Sequence, residues 1–210
     1  VRGTFTLLDI ISKQKKRLVQ ISTDEVFGSL ESGSATEDSK LNPSNPYSAT
    51  KAAAELLINS YCNTFDSNVV ITRCTNNYGP RQFAEKLIPK TFILAKQDKN
   101  IPIYGTGKNI RDWIFVDDHC DGIFSCLLHG KSGQSYNISG NNEIDNIKIV
   151  KTILSLMNKP EDQIQFVEDR PGHDFRYAID SSKIKNELGF NIKNNFEYNM
   201  EQTIKWYIEN

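Results

Sequence analysis

An α/β fold, a parallel sheet covered by helices on both faces, is what this 210-residue sequence predicts. Three observations lead there. Helix-like and strand-like segments alternate through the first 75 residues. The strand-like runs are continuous and β-branched, as in strands buried on both faces. Both runs then end abruptly in polar clusters, Ser22-Thr23-Asp24-Glu25 and Asn76-Asn77-Tyr78. In open parallel sheets ligands bind beyond the carboxyl ends of the strands, so both clusters are expected on a ligand-binding rim.

The elements follow in order. Thr4 to Lys13 carries Phe5, Leu7, Leu8, Ile10 and Ile11, a helix packed on one side. Arg17 to Ser22 is a short apolar strand. Ser29 to Asn45, rich in Ser, Asn, Glu and Pro, reads as loop. Tyr47 to Phe65 is a long helix, with Asn45 as its cap and Pro46 suited to its first turn. Its alanines, Ala49, Ala52, Ala53 and Ala54, favour helix and permit close packing. Asn68 to Arg73 is a second strand. Lys86 to Lys96 is helical, and "IPIYGTGKNIRDWIFV" reads as a strand, a Gly-rich turn and another strand. Further helices are predicted at Asp118 to His129, Asn146 to Met157 and Phe196 to Glu209. Short strands are predicted at Ser135 to Ile138 and Ile164 to Val167. Residues 1–80 and 81–210 are expected to form two domains, with segments of the second returning to the first sheet.

Composition narrows the function. With 38% hydrophobic and 24% charged residues the chain suits a globular protein with a real core. The 25 basic and 26 acidic residues leave a net charge of −1, and the densest basic cluster, Lys13 to Arg17, reads as a solvated helix end. Nucleic-acid binding has no electrostatic support. No apolar run approaches the ~18 residues of a membrane span. Cys62, Cys74, Cys120 and Cys126 form no C-x-x-C pair and read as reduced core thiols of a cytoplasmic protein. His119, His129 and His173 lack ligand spacing, and Asp117-Asp118-His119 is better explained as a helix start than as a metal site. Val1 stands where a start methionine would, and the sequence opens as though already inside a fold.

"YSATK" places Tyr47 and Lys51 four apart, on one face of the long helix. A lysine ammonium beside a phenol favours the phenolate, and a tyrosine lowered from its usual ~10 becomes a useful base. Tyr104 and Lys108 share the spacing, but Gly105 and Gly107 make that segment a turn, so their side chains need not align.

Taken together, "STDEVFG", "PYSATKAAAE", "NNYGP", "EKLIP", "PIYGTG", "RDW" and "DRPGHDFRY" resemble the extended short-chain dehydrogenase/reductase superfamily. Within it the match is close to the nucleotide-sugar 4,6-dehydratases, especially those of the dTDP-glucose type. The resemblance spans essentially the whole chain in order. Tyr-x-x-x-Lys marks only the superfamily, and Thr-Asp-Glu is the more specific signal. It implies a partial Rossmann-type, doubly wound parallel sheet with a smaller mixed α/β substrate-binding domain. It also implies NAD as cofactor, a nucleotide-diphosphate sugar as substrate and a homodimer built from two long helices per subunit. No G-x-x-G-x-x-G occurs, so roughly the first hundred residues of such a protein are expected to be absent, and the 210 residues alone are not expected to turn over. Phe27 stands where many such proteins carry tyrosine.

The resemblance also distributes roles. Tyr47 would take the C4 hydroxyl proton as hydride leaves to NAD, with Lys51 lowering its pKa and holding the nicotinamide ribose. Thr23 would bind the C4 oxygen. Glu25 would remove the C5 proton, and Asp24, kept protonated, would donate to the departing C6 hydroxyl. Adjacent acids need separated pKa values for this. Ser22 and Asn77 correspond to cofactor contacts. Asn76, Lys86, Leu87, Pro102, Ile103, Tyr104, Arg111, Asn146, Arg170 and His173 correspond to nucleotide-sugar contacts, the two arginines suiting diphosphate oxygens. A 4-epimerase or decarboxylase of the same superfamily also uses Tyr-x-x-x-Lys, but an epimerase needs no acid pair at C5. A non-catalytic nucleotide-sugar-binding chain is the alternative of another class.

Overall fold

A computed structural model describes residues 1–193 and 195–210. Helix α1 (Arg2–Gln14) leads into strand β1 (Leu18–Thr23) and a 3-10 turn, Asp24–Phe27. Helix α2 (Pro46–Phe65) precedes β2 (Val69–Cys74). Then come β3 (Asn76–Tyr78), α3 (Leu87–Lys96), β4 (Ile101–Tyr104), β5 (Ile110–Phe115) and α4 (Val116–His129). They are followed by β6 (Ser135–Ile138), β7 (Glu143–Asp145), α5 (Asn146–Leu156), β8 (Ile164–Val167), α6 (Ser182–Leu188) and α7 (Phe196–Glu209).

The first sheet is parallel, in the order β1-β2-β6, with Leu18 opposite Val69 and Ile71 opposite Ser135. Alternation along β2 feeds two cores. Val69 and Ile71 pack with Leu8 of α1 and Ile58 of α2. Val70 packs on the other face with Cys126 of α4 and Ile184 of α6. The helices therefore cover both faces, as expected for parallel strands. Strand β6, from the second half of the chain, closes this sheet.

The glycine-rich stretch from Ile101 to Val116 does not fold as a hairpin. Strand β4 pairs in parallel with β8, whereas β5 pairs in parallel with β3 and antiparallel with β7. The turn between β4 and β5, residues 105–109, holds Gly105 and Gly107 at positive φ. Helices α3, α5 and α7 cover the β3-β5-β7 sheet through Ile88, Phe92, Ile149, Ile153, Met200 and Ile204. The loop from Ser29 to Asn45 is tied down. Leu30 N donates to Arg176 O at 3.0 Å, Ala35 N donates to Ala178 O at 3.0 Å, and Ala35 bridges Ile179.

A buried ion pair locks α2 onto β2. The Arg73 guanidinium meets the Glu55 carboxylate through Nη2 at 2.8 Å and through Nε at 3.1 and 3.3 Å. Arg73 Nη1 also donates to Glu37 O at 3.3 Å, and the guanidinium lies 4.9 Å from the Phe27 ring centroid. Both side chains are removed from water. Breaking one half strands a buried charge, so Glu55→Ala should cost about 3–5 kcal/mol in urea unfolding. The double variant Glu55→Leu/Arg73→Met should recover much of that loss, because the unpaired charge goes too. A single variant as stable as the native chain would show the pair to be energetically idle.

Candidate active site

The two polar clusters come together through Glu25 and Asn76, which line one cleft, whereas Tyr78 turns into the core of the second sheet. Thr23 ends β1 opposite Cys74 of β2. The 3-10 turn begins at once, and Thr23 Oγ1 accepts from Glu25 N at 3.3 Å while donating to Asp24 Oδ1 at 3.2 Å. Gly28 closes the turn at φ 73°, where a Cβ would lie 2.4 Å from Asn42 O. No other residue fits there without moving the loop. The polar run after β1 is thus a rigid turn with its side chains set by backbone and Thr23.

Helix α2 brings the phenol. Asn45 caps it through a capping box: Asn45 Oδ1 accepts from Ser48 N at 3.0 Å, and Ser48 Oγ accepts from Asn45 N at 3.3 Å. Tyr47 follows in the first turn and is half-exposed. Glu25, Asn45, Tyr47 and Asn76 line a cleft of about 710 Å³ together with Lys86, Leu87, Pro102, Ile103, Tyr104, Arg111, Asn146, Arg170 and His173. Ten residues expected at a sugar-nucleotide grip from sequence are therefore brought to one cavity. Thr23, Asp24, Ser22, Lys51 and Asn77 are not in its wall; they lie behind or beside it.

Asp24 and Glu25 differ sharply. Asp24 is fully buried, and burial, reinforced by the Glu25 and Asp112 carboxylates, pushes its pKa up to about 8. It is held protonated at neutral pH, and its Oδ2 has no partner among the described residues. Glu25 is only partly buried and reaches the cleft.

Tyr47 departs from expectation. Its proton is held more tightly than in water, first because the phenol is partly buried and then because Glu25 lies nearby; Thr23 opposes this. The Lys51 ammonium, one turn along α2, donates to the Ile21 carbonyl at 2.7 Å. Arg111 lines the cleft and is held there by backbone carbonyls. Its Nη1 donates to Ile110 O at 2.7 Å and Phe175 O at 3.1 Å, and Nη2 to Asp174 O at 2.8 Å. It stacks 4.4 Å from the Tyr177 ring centroid. Arg111 thus anchors the segment that carries Arg170 and His173. Arg170 lies 5.1 Å from the Tyr104 ring centroid and donates to His173 Nε2 at 2.9 Å. His173 Nδ1 donates in turn to Asp169 at 2.6 Å, and burial keeps the imidazole below its usual pKa.

Some contributors had no signal in the sequence. Asp174 accepts from Ser44 Oγ and, at 2.6 Å, from Tyr177 OH, clasping the 169–177 segment to the start of α2. Asp112, of "RDW", binds the backbone of Gly140 and Asn142 and the Ser139 hydroxyl, and so faces Asp24 as a second carboxylate. His119 Nδ1 donates to Asn77 Oδ1 at 2.8 Å; burial drops this imidazole to about 4, so it is neutral. Asn77 Nδ2 donates to Thr75 O at 3.2 Å, which fixes the amide's orientation. The acidic pair before His119 occupies the first turn of α4, as a helix start should.

The GDP-mannose 4,6 dehydratase family profile matches residues 1–203. The chain belongs to that family. It is 44% identical to the dTDP-glucose 4,6-dehydratase of Xanthomonas campestris pv. campestris over 230 residues, covering 100% of this chain and 66% of that protein. The crystal structure of dTDP-glucose 4,6-dehydratase from Bacillus anthracis in complex with NAD superposes with a TM-score of 0.96 at 45% identity, covering 100% of this chain and 68% of that one. UDP-glucuronic acid 4-epimerase from Bacillus cereus, in complex with UDP-glucuronic acid and NAD, gives a TM-score of 0.92 at 26% identity, covering 98% and 66%. The chain spans about two thirds of the length of the curated relatives it matches.

The raised Asp24 pKa has a thermodynamic signature. The folded state holds this proton until about pH 8, whereas the unfolded carboxyl releases it near 3.8. Between those values the native state binds more protons, so this group's contribution to stability is lost as pH rises. Asp24→Asn removes the titration. Its melting temperature should exceed that of the native chain by several degrees at pH 8, and the gap should close toward pH 4. A gap that does not change with pH would place the Asp24 pKa in the ordinary range.

Proposed function

We propose that the whole protein is an NAD-dependent nucleotide-sugar 4,6-dehydratase, a hydro-lyase, with dTDP-glucose as substrate and the 4-keto-6-deoxy sugar as product. The observation that carries the reading is the adjacent acid pair. A protonated, fully buried Asp24 stands next to a cleft-facing Glu25, beside Tyr47. Elimination across C5–C6 needs a base and an acid side by side, and the environments of these two supply different protonation states. The dTDP-glucose 4,6-dehydratases among the relatives support the substrate class.

The residues present fit NAD. Ser22 Oγ, at the end of β1, is buried with no partner among the described residues, and Asn77 is oriented by His119 at the same rim. Ser22, Tyr47, Lys51 and Asn77 would hold the cofactor, which when bound accepts hydride from C4 and returns it to C6. Tyr47 removes the C4 hydroxyl proton, with Thr23 binding that oxygen. Lys51, one turn along α2, supplies the positive charge the phenolate needs. Glu25 removes the C5 proton, made acidic by the C4 ketone, and Asp24 protonates the departing C6 hydroxyl. Arg170, His173, Tyr104, Asn76, Lys86, Leu87, Pro102, Ile103 and Asn146 form the nucleotide-diphosphate grip, with Arg111 bracing it. We assign residues 1–80 to the dinucleotide-binding domain and 81–210 mainly to the substrate domain, in a cytoplasmic homodimer. Exposed Leu7 of α1 and Leu56 of α2, on two helices that pack together, support pairing through those helices. No helix among the described residues is long and apolar enough to cross a membrane.

In the whole protein, Glu25→Gln should still form NADH on meeting the sugar, then stall at the 4-keto-hexose. Asp24→Asn should still exchange the C5 hydrogen with deuterated water, while loss of the C6 hydroxyl slows by ~10²–10⁴-fold. Tyr47→Phe should cut NADH formation by orders of magnitude, whereas Tyr104→Phe should mainly raise KM. NMR of the sugar and NADH absorbance in single turnovers separate these steps. Inversion at C4 without any 6-deoxy product would make the protein an epimerase.

A further inference from the structure

Asn45 does two things at once. Its Oδ1 accepts from Ser48 N at 3.0 Å, which caps α2 and fixes which way the amide points. The Nδ2 group must then face away from the helix, and it lies 3.5 Å from Glu25 Oε2. Among the described residues this amide is the hydrogen-bond donor that the Glu25 carboxylate meets. Both side chains, with Tyr47, line the same cleft.

We propose that Asn45 is a positioning residue that holds the Glu25 carboxylate in line for the C5 proton, tying base and phenol to one helix end. The proposal rests on the dehydratase reading. A carboxylate at the head of a turn can rotate about its side-chain bonds, and proton abstraction needs it within hydrogen-bond reach of one carbon-bound hydrogen. A misplacement near 1 Å can cost about 10²-fold in rate. An amide orients a carboxylate without bringing the full positive charge that would suppress its basicity. The 3.5 Å separation is long, as catalytic hydrogen bonds are before substrate tightens them. The cap makes the donor rigid: the amide cannot flip toward Glu25 or away from it without releasing Ser48.

Serine and aspartate cap helices about as well as asparagine, which separates the two duties. In the whole protein, Asn45→Ser keeps the cap but has no second donor. Asn45→Asp keeps the cap and sets a carboxylate against Glu25. Both should melt within a few degrees of the native protein and form NADH at close to the native rate in single turnovers. Exchange of the C5 hydrogen in deuterated water should slow by about 10-fold or more in Asn45→Ser, within the cost of a misplaced group, and further in Asn45→Asp. If both variants exchange at the native rate, Asn45 is a cap and nothing more. If NADH formation falls in step with exchange, Asn45 acts through α2 and Tyr47, and the assignment is equally wrong. Glu25→Gln, run beside them, tells the two failures apart. Native exchange in Glu25→Gln would sink the dehydratase reading itself, and this proposal with it. Lost exchange there, with native exchange in Asn45→Ser, would sink only the role given to Asn45.

Discussion

The buried pair between Arg73 and Glu55 is the constraint on which the rest of the site's geometry depends. Helix α2 carries Tyr47 and Lys51, and β2 ends beside the turn that carries Asp24 and Glu25. Apolar packing alone is weakly directional; Ile58 against Val69 and Ile71 would tolerate some sliding of helix on sheet. A planar guanidinium bound at several points to one carboxylate does not. The contact of the same guanidinium with the Phe27 ring extends the lock to the 3-10 turn. Three elements that must agree within a fraction of an ångström thus share one anchor. Its net contribution to stability is modest, because both charges were taken out of water. Its value lies in register.

The chemistry of the acid pair is set by environment. Asp24 and Glu25 are adjacent in the chain, yet one side chain turns inward against Asp112 and the other outward into the cleft. A 3-10 turn does this, since successive side chains leave it about a third of a turn apart. Burial alone would raise Asp24, and two nearby carboxylates raise it further. Asp112 is kept there by its hydrogen bonds to the backbone of residues 140 and 142. A structural aspartate that closes a turn therefore also helps keep its neighbour protonated.

Much of this was legible in the sequence. Helix α7 and strands β6 and β8 fall where periodicity placed them, and α2 begins at its predicted cap. The short strands β3 and β7 have three residues each, too few for any pattern, and α6, with seven residues, is too short to show an amphipathic repeat. The stretch around Gly105 and Gly107 carries turn chemistry but not partner identity. Which strands β4 and β5 join depends on β8, β3 and β7, which lie far along the chain. The same limit hid the site's supports. The contacts of Asp174 with Ser44, of His119 with Asn77 and of Arg111 with the 174–175 backbone all join residues more than 40 positions apart. Lys51 was expected beside the phenol from helical spacing. Spacing fixes the face of the helix but not the acceptor of a long side chain, and the Ile21 carbonyl that Lys51 meets lies 30 residues away on β1.

Strand β1 stands at the margin of its sheet, with β2 on one side only. Its apolar residues include Ile21, which is 44% exposed. An open strand margin is a template for another strand, and here the Lys51 ammonium takes up the Ile21 carbonyl on it. The strand that ends in Thr23 and leads into the acid pair is thus, along its length, the open margin of its sheet.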